Sequence, residues 1–330
     1  MAAKCNLIID SCCDLPPQLA EAEGVKLLNF PYLMNGSECF DDLFKTGSAH
    51  SFYEQMRQGV MPSTAQIPYL TIRDAWREAA QSGIPTVYLS FSSKLSGTYN
   101  TALTLLEETK EEFPDAELYL VDTALASVAE GFLVHEAFRQ RNLGLSAEEL
   151  AKWADEAKYY VRCIFMVDDL EALRRGGRIP AAVANLGAKL DVKVLLGFDL
   201  DGSLALTSVA RGRKKGMKAM VEVFEKDADT SENVITLVAG HADCPKDFEK
   251  LCDMVRKTKL ETNIIECNIG PVIGSHVGPD MMALVFWGDD RRSGMKLADR
   301  IAKKVKNNEW LSNFISTETR HLAMRLRSAW

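Results

Sequence analysis

The sequence predicts a two-domain α/β protein: a parallel, doubly wound sheet first, a mixed sheet second and a helical extension last. Strands and helices alternate to about residue 160, which is typical of a parallel sheet. Asp201-Gly202 then separates two apolar runs, a pattern that indicates an antiparallel hairpin. Beyond residue 290 the apolar spacing is helical only. We therefore expect domains at 1–160 and 161–290, and a helical extension at 291–330.

Composition excludes several classes of protein. A chain of 330 residues is long for one core, and 47% apolar with 26% charged residues is ordinary for a globular protein. The net charge of −7 argues against nucleic acid as the main partner. The first residues lack the apolar core of a signal peptide, and no run approaches the length of a membrane span. We expect a cytoplasmic protein without stable membrane insertion.

The elements of the first domain follow from apolar spacing and from turn residues. In chain order we predict a strand at 4–9, a helix from Pro16-Pro17 to about 23, an apolar run at 25–33 with a turn at Asn35-Gly36, an irregular stretch at 38–44, a helix at 51–58, a loop at 62–68, a helix at 70–81, a strand at 86–91, a helix at 100–110, a strand at 117–121 and a helix at 128–142. Ser146 caps a further helix, with Glu149 in the capping-box position.

The second domain shows more strands and fewer helices. We predict strands at 163–167, 193–199, 204–209, 233–239, 263–268 and 281–287, with helices at 214–226 and 246–257. Gly and Pro fix a loop at 274–279, so His276 is held in place before the last strand.

A hydroxyl-rich turn is the first candidate site. Residues 90–98 hold Ser93, Ser96 and Gly97 between the carboxyl end of a strand and the start of a helix. Ligands bind at such strand ends in open α/β sheets, and free helix amides favour an anion. Thr64, in the loop at 62–68, could share that anion with Ser96. The alternative is structural: Ser96 is a helix cap and Thr64 a turn residue.

Three further motifs contain a histidine or a cluster of basic residues. His276 could bind an anion or act as a base, or it could simply bond a backbone carbonyl. The run 174–178, Arg-Arg-Gly-Gly-Arg, fits either a phosphate-binding loop or a charged helix end. The run 211–215, Arg-Gly-Arg-Lys-Lys, places cations at a helix start, where the dipole disfavours them, and this slightly favours a patch that faces a partner.

Cysteine usage favours buried, reduced thiols. The eight cysteines form no Cys-X-X-Cys pair and have no histidine at metal-ligand spacing, so we predict no metal site. The competing enzymatic interpretation is a Ser96–His276 nucleophile pair in a hydrolase, or an acyl or phosphoryl transferase acting on a small anion. Ser96 lacks the Gly-X-Ser-X-Gly elbow of many hydrolases.

Taken together, these motifs resemble the DegV family of fatty-acid-binding proteins. The matching pieces are Asp10-Ser11, 62–66 (Pro-Ser-Thr-Ala-Gln), 92–99 (Ser-Ser-Lys-Leu-Ser-Gly-Thr-Tyr), Val121-Asp122, Leu173 with 176–179, Asp201-Gly202, Arg211-Gly212 and 273–279. The resemblance implies a two-domain carrier without turnover of its own. Such a carrier buries a long-chain fatty acid between its domains, needs no cofactor, and presents the carboxyl group to a fatty acid kinase that makes an acyl phosphate for phospholipid metabolism.

The resemblance also implies roles for individual residues. Thr64, Ser96, the amide of Gly97 and His276 would bind the carboxylate. Supporting contacts are expected from Ser93, Asp10, Ser11 and Arg178, and the kinase would be met by Arg211 and Lys215. This sequence departs from the family pattern at Cys12-Cys13, at Ala65 in place of Ser, and at Asp280 in place of Gly.

Overall fold

The computed structural model describes residues 3–179, 183 and 192–293. The strands of this part are β1 Asn6–Asp10, β2 Val25–Leu28, β3 Pro31–Met34, β4 Ser37–Phe40, β5 Ser63–Thr64, β6 Thr86–Ser90, β7 Leu118–Asp122, β8 Val161–Val167, β9 Val192–Phe198, β10 Leu204–Arg211, β11 Ile235–His241, β12 Thr262–Asn268 and β13 Met282–Trp287. The helices are α1 Pro17–Ala20, α2 Ala49–Arg57, α3 Tyr69–Ser82, α4 Thr98–Glu112, α5 Val128–Leu143, α6 Ala147–Ala157, α7 Glu171–Arg175, α8 Arg213–Asp227, α9 Pro245–Arg256 and α10 Pro271–Val277.

The first sheet is parallel, with the strand order β2-β1-β6-β7, and it confirms the predicted doubly wound arrangement. Alternate side chains along β1 enter different apolar clusters: Ile8 belongs to one, and Leu7 and Ile9 to another. Both faces of the sheet are therefore covered, as a parallel sheet requires. Chain order reverses between β1 and β6, so the switch point lies between their carboxyl ends.

The second sheet is mixed and has six strands in the order β10-β9-β8-β13-β11-β12. Strands β11 and β12 run parallel, and the other neighbours are antiparallel. The hairpin predicted at Asp201-Gly202 joins β9 to β10, and Gly202 has a φ of +89°, the left-handed conformation that favours glycine. A mixed sheet beside a parallel one confirms the predicted fold class.

Helix α5 packs between the two sheets. It contacts α6 and the 3-10 turn Ser11–Cys13 on one side, and β8, β11 and β13 on the other. Phe132 of this helix stacks edge-on against Trp287 at the end of β13, with ring centroids 4.8 Å apart. The described residues up to Asp289 form one compact unit that contains all the elements named above. The domain boundary at residue 160 stays a prediction.

Three strands form a small third sheet, β4-β3-β5, that the sequence prediction missed. The apolar run at 25–33 is two strands in two sheets, because Pro31 begins a new strand. The stretch at 38–44 is not irregular throughout: β4 pairs with β3 through a turn at Asn35-Gly36, both with positive φ. The predicted loop at 62–68 contains β5, in which Thr64 pairs with Tyr32.

Two local predictions are corrected, one alternative is resolved and one prediction is confirmed. His276 lies in α10 and not in a loop, since Pro271 starts that helix and Gly278 ends it at a φ of +76°. Helix α1 ends at Ala20, earlier than expected. Arg174 and Arg175 form the last turn of α7, with Gly176 at its C-cap. The capping box of Ser146 and Glu149 is confirmed. The predicted helical extension at 291–330 falls, after Ser293, beyond the part of the chain that the structure describes.

Candidate functional site

A cavity of about 220 Å³ begins at the carboxyl ends of β1 and β6. The residues that follow these strands, Cys12 and Phe91, form part of its wall. The switch point between the two strands makes a crevice there, because the chain leaves them in opposite directions. The second sheet and α10 enclose the rest.

Most of the cavity wall is apolar. The apolar lining comprises Cys12, Phe30, Ala65, Phe91, Leu95, Ala126, Val128, Cys163, Phe165, Leu173, Phe198, Leu204, Val272, Ile273, Val277, Met281 and Ala283. These residues come from the parallel sheet, the mixed sheet and the helices between them. An elongated apolar ligand would gain about 0.8 kcal/mol for each methylene it buries there.

Two polar side chains meet on the cavity wall. Thr64 Oγ1 of β5 and His276 Nε2 of α10 lie 2.7 Å apart in a hydrogen bond between residues 212 positions apart in the chain. Among the described residues, His276 Nδ1 has no hydrogen-bond partner. When Nε2 donates its proton to Thr64 Oγ1, the Thr64 hydroxyl is free to donate to a ligand oxygen.

The imidazole of His276 is neutral at ordinary pH. Burial, followed by the nearby cations Arg178 and Arg175, lowers the pKa of His276 to about 4. A neutral imidazole donates hydrogen bonds without adding a positive charge. It is also a weak base, and no carboxylate orients its Nδ1 within the described chain, so the geometry does not favour a Ser/His nucleophile pair.

Ser96 and Gly97 lie at the amino end of α4. Ser96 Oγ accepts from the amide of Thr98 at 3.2 Å and lies 3.0 Å from Thr98 Oγ1. Ser96 precedes the N-cap residue, Gly97, and bonds the first amide of α4, and it also lines the cavity; a contact between Ser96 and a ligand stays a prediction. Gly97 lies so close to Gln66 that an added Cβ would overlap Gln66 Oε1.

Arg178 lies where the cavity meets a second, outer pocket of about 670 Å³. The two share Leu95, Ser96, Gly97, Arg178 and Leu204. Arg178 Nε donates to Leu95 O at 3.1 Å, and its Nη1 donates to Gly176 O. The arginine thus bridges the α7 end and the turn before α4, at the edge of the cavity.

The other predicted supporting residues do not line the cavity. Asp10 is buried and accepts from the amides of Cys12 and Phe91 and from the Tyr88 hydroxyl. Burial raises the pKa of Asp10 to about 7. Ser11 Oγ accepts from the Phe30 amide at 3.0 Å. These two residues hold the loop that carries the cavity wall.

Three more of the predicted residues lie outside the cavity, toward the protein surface. Ser93 lines the outer pocket only. Arg211 is exposed at the end of β10, and Lys215 is exposed in the first turn of α8. Arg213 lies between them in sequence, but it points inward and pairs with Asp168 and Asp247.

The sequence reasoning missed most of the lining. Ser127 and Gln66 are polar wall residues that were not singled out, although Gln66 lies in the same loop as Thr64. The aromatic residues Phe30, Phe165 and Phe198 carry no local pattern that distinguishes them from core residues.

Neither a metal site nor a membrane helix occurs in the described residues. No group of three or more His, Cys, Asp or Glu side chains in 3–179, 183 and 192–293 could hold a metal ion. None of the helices in that part of the chain combines the length and the apolar character that crossing a bilayer requires. All eight cysteines are free, and Cys12 and Cys13 are completely buried.

The fold and the site define a class: an α/β protein whose parallel and mixed sheets enclose an apolar cavity with a hydroxyl–imidazole pair on its wall. Within that class, the chain belongs to the DegV family. Residues 4–289 match the family described as "Uncharacterised protein, DegV family". The chain is 35% identical over 285 residues to a DegV domain-containing protein of Clostridium perfringens, covering 86% of this chain and 98% of that protein.

Two solved structures are similar over the same region. A DegV family protein from Thermus thermophilus, described by its fatty acid binding, has a TM-score of 0.77 and 27% identity; the match covers 87% of this chain and 100% of that one. A protein from Thermotoga maritima, whose structure is said to reveal a fatty acid binding function, has a TM-score of 0.73 and 26% identity, with coverage of 87% and 100%. The activity described for both relatives is binding.

Proposed function

We propose that this chain binds a long-chain fatty acid in the cavity and presents its carboxyl group to a kinase. The observation that carries the proposal is the hydrogen-bonded pair of Thr64 and His276, which lines a mostly apolar cavity together with Ser96. The fatty-acid-binding relatives in Thermus and Thermotoga support it.

The apolar wall would bind the acyl chain, and the polar groups would bind the carboxylate. The acyl chain supplies most of the affinity by leaving water. The carboxylate is then held by donors, because a buried charge without partners is costly. The Thr64 and Ser96 hydroxyls and the Gly97 amide can donate, while the single N–H of the neutral His276 imidazole donates to Thr64 Oγ1 and so directs the Thr64 proton to the ligand. Arg178, at the edge of the cavity, adds a positive potential without itself closing the site.

A carboxylate held by such donors keeps a lone pair for chemistry. In the proposed reaction, a carboxylate oxygen attacks the γ-phosphorus of ATP on a kinase. The bond from phosphorus to the β,γ-bridging oxygen breaks, and ADP leaves with that oxygen. The products are ADP and an acyl phosphate. This chain supplies the bound acid, and the kinase supplies the nucleotide site.

The kinase would dock on the patch around Arg211 and Lys215. Leu204 lines the cavity at one end of β10, and Arg211 lies at the other end. At about 3.3 Å per residue, the seven steps between them span roughly 23 Å. Arg211 is therefore suited to dock a partner and not to touch the reacting atoms.

The first test is mass spectrometry of an organic extract from the purified protein. We expect one fatty acid per chain, depleted in Thr64→Ala and in Ser96→Ala. Thr104→Ala is the matched control, since Thr104 is exposed on α4 and lines neither pocket. A lipid-free wild type that takes up no added fatty acid would refute the proposal and would direct attention to hydrolase and transferase assays.

The docking step has a separate test. With a purified fatty acid kinase and ATP, acyl phosphate can be trapped by hydroxylamine and quantified. We expect Arg211→Glu with Lys215→Glu to lose product while the extract still contains fatty acid. Product formation at the wild-type rate would exclude this patch as the docking surface.

A further inference from the structure

We propose that Arg57 is a positioning residue that latches the cap segment, residues 31–64, against α10 and so sets the rate at which ligand enters and leaves the cavity. The inference rests on the proposed function, because exchange is measured with a fatty acid. Arg57 does not line the cavity and acts through Thr64 and His276.

The cap segment is a closed structural unit. It contains β3, β4, α2 and β5, and its two ends meet where the Ala65 amide donates to Pro31 O at 3.3 Å. Its last residue, Thr64, forms part of the cavity wall. A small movement of the cap relative to α10 would therefore lengthen the Thr64–His276 hydrogen bond and widen the cavity at its polar wall.

Several side chains of the cap hold it against the second sheet and α10, among them His50, whose Nδ1 lies 3.0 Å from Asp243 Oδ2. Tyr53 is fully buried, and its hydroxyl donates to Ile269 O at 2.7 Å. Thr64 bonds His276. Arg57, at the edge, donates from Nη1 to Asp243 Oδ2 at 2.6 Å and from Nη2 to Asp280 Oδ1 at 2.9 Å. Its Nη2 also donates to Asp243 O at 2.8 Å.

The two aspartates that accept hydrogen bonds from Arg57 have unusual backbone dihedral angles. Asp243 has a φ of +53° and Asp280 a φ of +66°, in the left-handed region that non-glycine residues seldom adopt. Asp280 is fixed further by its amide, which donates to Ala242 O at 2.7 Å. Such conformations persist only where the surroundings impose them, and here one guanidinium holds both side chains.

Sequence position links this cluster to the polar wall. Arg57 precedes Thr64 by seven residues, and Asp280 follows His276 by four. We call the ion pairs of Arg57 with Asp243 and Asp280 the latch. The latch joins the residues just before Thr64 to the residues just after His276. The side chains of Arg57 and Asp280 are 29% and 37% exposed, so water can replace these bonds when the cap moves.

The experiment compares wild type with Asp280→Gly. Glycine adopts a φ of +66° without strain, so this variant removes one latch bond without a folding penalty from the backbone. Protein loaded with oleic acid is mixed with excess perdeuterated oleic acid, and the bound isotope is followed by mass spectrometry of the extract. Arg77→Ala is the control, because Arg77 makes a comparably exposed ion pair with Glu112 between α3 and α4.

We expect Asp280→Gly to raise the association and dissociation rates together by about fivefold, which corresponds to about 1 kcal/mol for a partly exposed ion pair. The dissociation constant should change less than twofold, because the latch is closed in both the free and the loaded protein and breaks only on opening. A merely structural defect would instead raise the dissociation constant. Unchanged rates, or an equal effect in Arg77→Ala, would overturn the proposal.

A second readout needs no fatty acid. Cys12 is fully buried in the cavity wall, so its alkylation by iodoacetamide requires opening. Peptide mass spectrometry should show labelling of Cys12 about fivefold faster in Asp280→Gly, with a Tm only about 2–4 °C lower because about 1 kcal/mol is lost from the folded state. This measurement separates the two proposals: a wild type that binds no fatty acid would end the proposed function, whereas equal labelling rates would end the latch.

Discussion

Replacement of Glu130 by Gln should stabilise the protein, and the gain should grow as pH rises. Glu130 lies in α5, is fully buried, and neither carboxyl oxygen has a hydrogen-bond partner among the described residues. Burial, then the nearby acids Asp10, Asp14 and Asp122, raises the pKa of Glu130 well above its ordinary value of 4.5. The folded chain therefore keeps a proton that the unfolded chain releases.

The sign and size follow from proton linkage. Above pH 4.5 the unfolded state binds fewer protons than the folded state, so the free energy of unfolding falls by about 1.4 kcal/mol for each pH unit while the buried carboxyl stays protonated. Glutamine has the same shape and no proton to lose. Between pH 5.5 and pH 7.0 the advantage of the variant should thus increase for as long as the buried carboxyl stays protonated, by at most roughly 2 kcal/mol.

Chemical denaturation at these two pH values measures the difference directly. Glu136→Gln serves as the control on the same helix, because the Glu136 carboxylate pairs with Arg139 at 3.0 Å and its loss should not stabilise the chain. If Glu130→Gln gives the same change in unfolding free energy at both pH values, the assignment of a protonated, unpartnered carboxyl is wrong.

Three further substitutions test local packing and capping. Gly131→Ala would push a methyl group into the backbone oxygen of Cys13 and should lower the free energy of unfolding by about 1–3 kcal/mol; unchanged denaturation would show that α5 can shift there. Gly176→Ala would overlap His276 Nδ1, so we expect less bound fatty acid at nearly wild-type thermal stability, and full retention of lipid would contradict the role of His276. Ser146→Ala removes the capping box of α6 and should cost about 1 kcal/mol in chemical denaturation, whereas a neutral result would mean that packing alone holds the helix.

Local chemistry explains which parts of the fold were predictable from sequence. Asp201-Gly202, Asn35-Gly36 and the Ser146 capping box are short-range patterns whose physics lies within a few residues, and all three were predicted at the right place. Strand β5 was missed because two residues bracketed by Pro62 and Pro68 give no periodicity. Its pairing with Tyr32 is a long-range contact that sequence spacing does not encode.

The functional site likewise has features that local sequence predicts and features that depend on long-range contacts. The hydroxyls of Thr64 and Ser96 could be singled out from the sequence, but the hydrogen bond between Thr64 and His276 depends on a helix more than 200 residues away. The apolar wall was unpredictable in detail, since Phe165 or Phe198 in a strand looks like any core residue. The burial of Glu130 and the positive φ of Asp280 could not be predicted, because both are properties of the folded chain.

The place of β13 in the second sheet has a consequence for biosynthesis. This strand, Met282–Trp287, is the last one described in the chain, yet it lies in the middle of the sheet between β8 and β11. While the ribosome is still making residue 281, the strands already synthesised can form only two separate half-sheets, in which β8 and β11 each lack one hydrogen-bonding partner. The cavity, whose wall includes Met281 and Ala283, can form only after this region has been translated. Nascent chains should therefore depend on chaperones late in synthesis. Ribosome-bound chains shorter than about 290 residues should be cleaved readily by protease in the region that forms the second sheet.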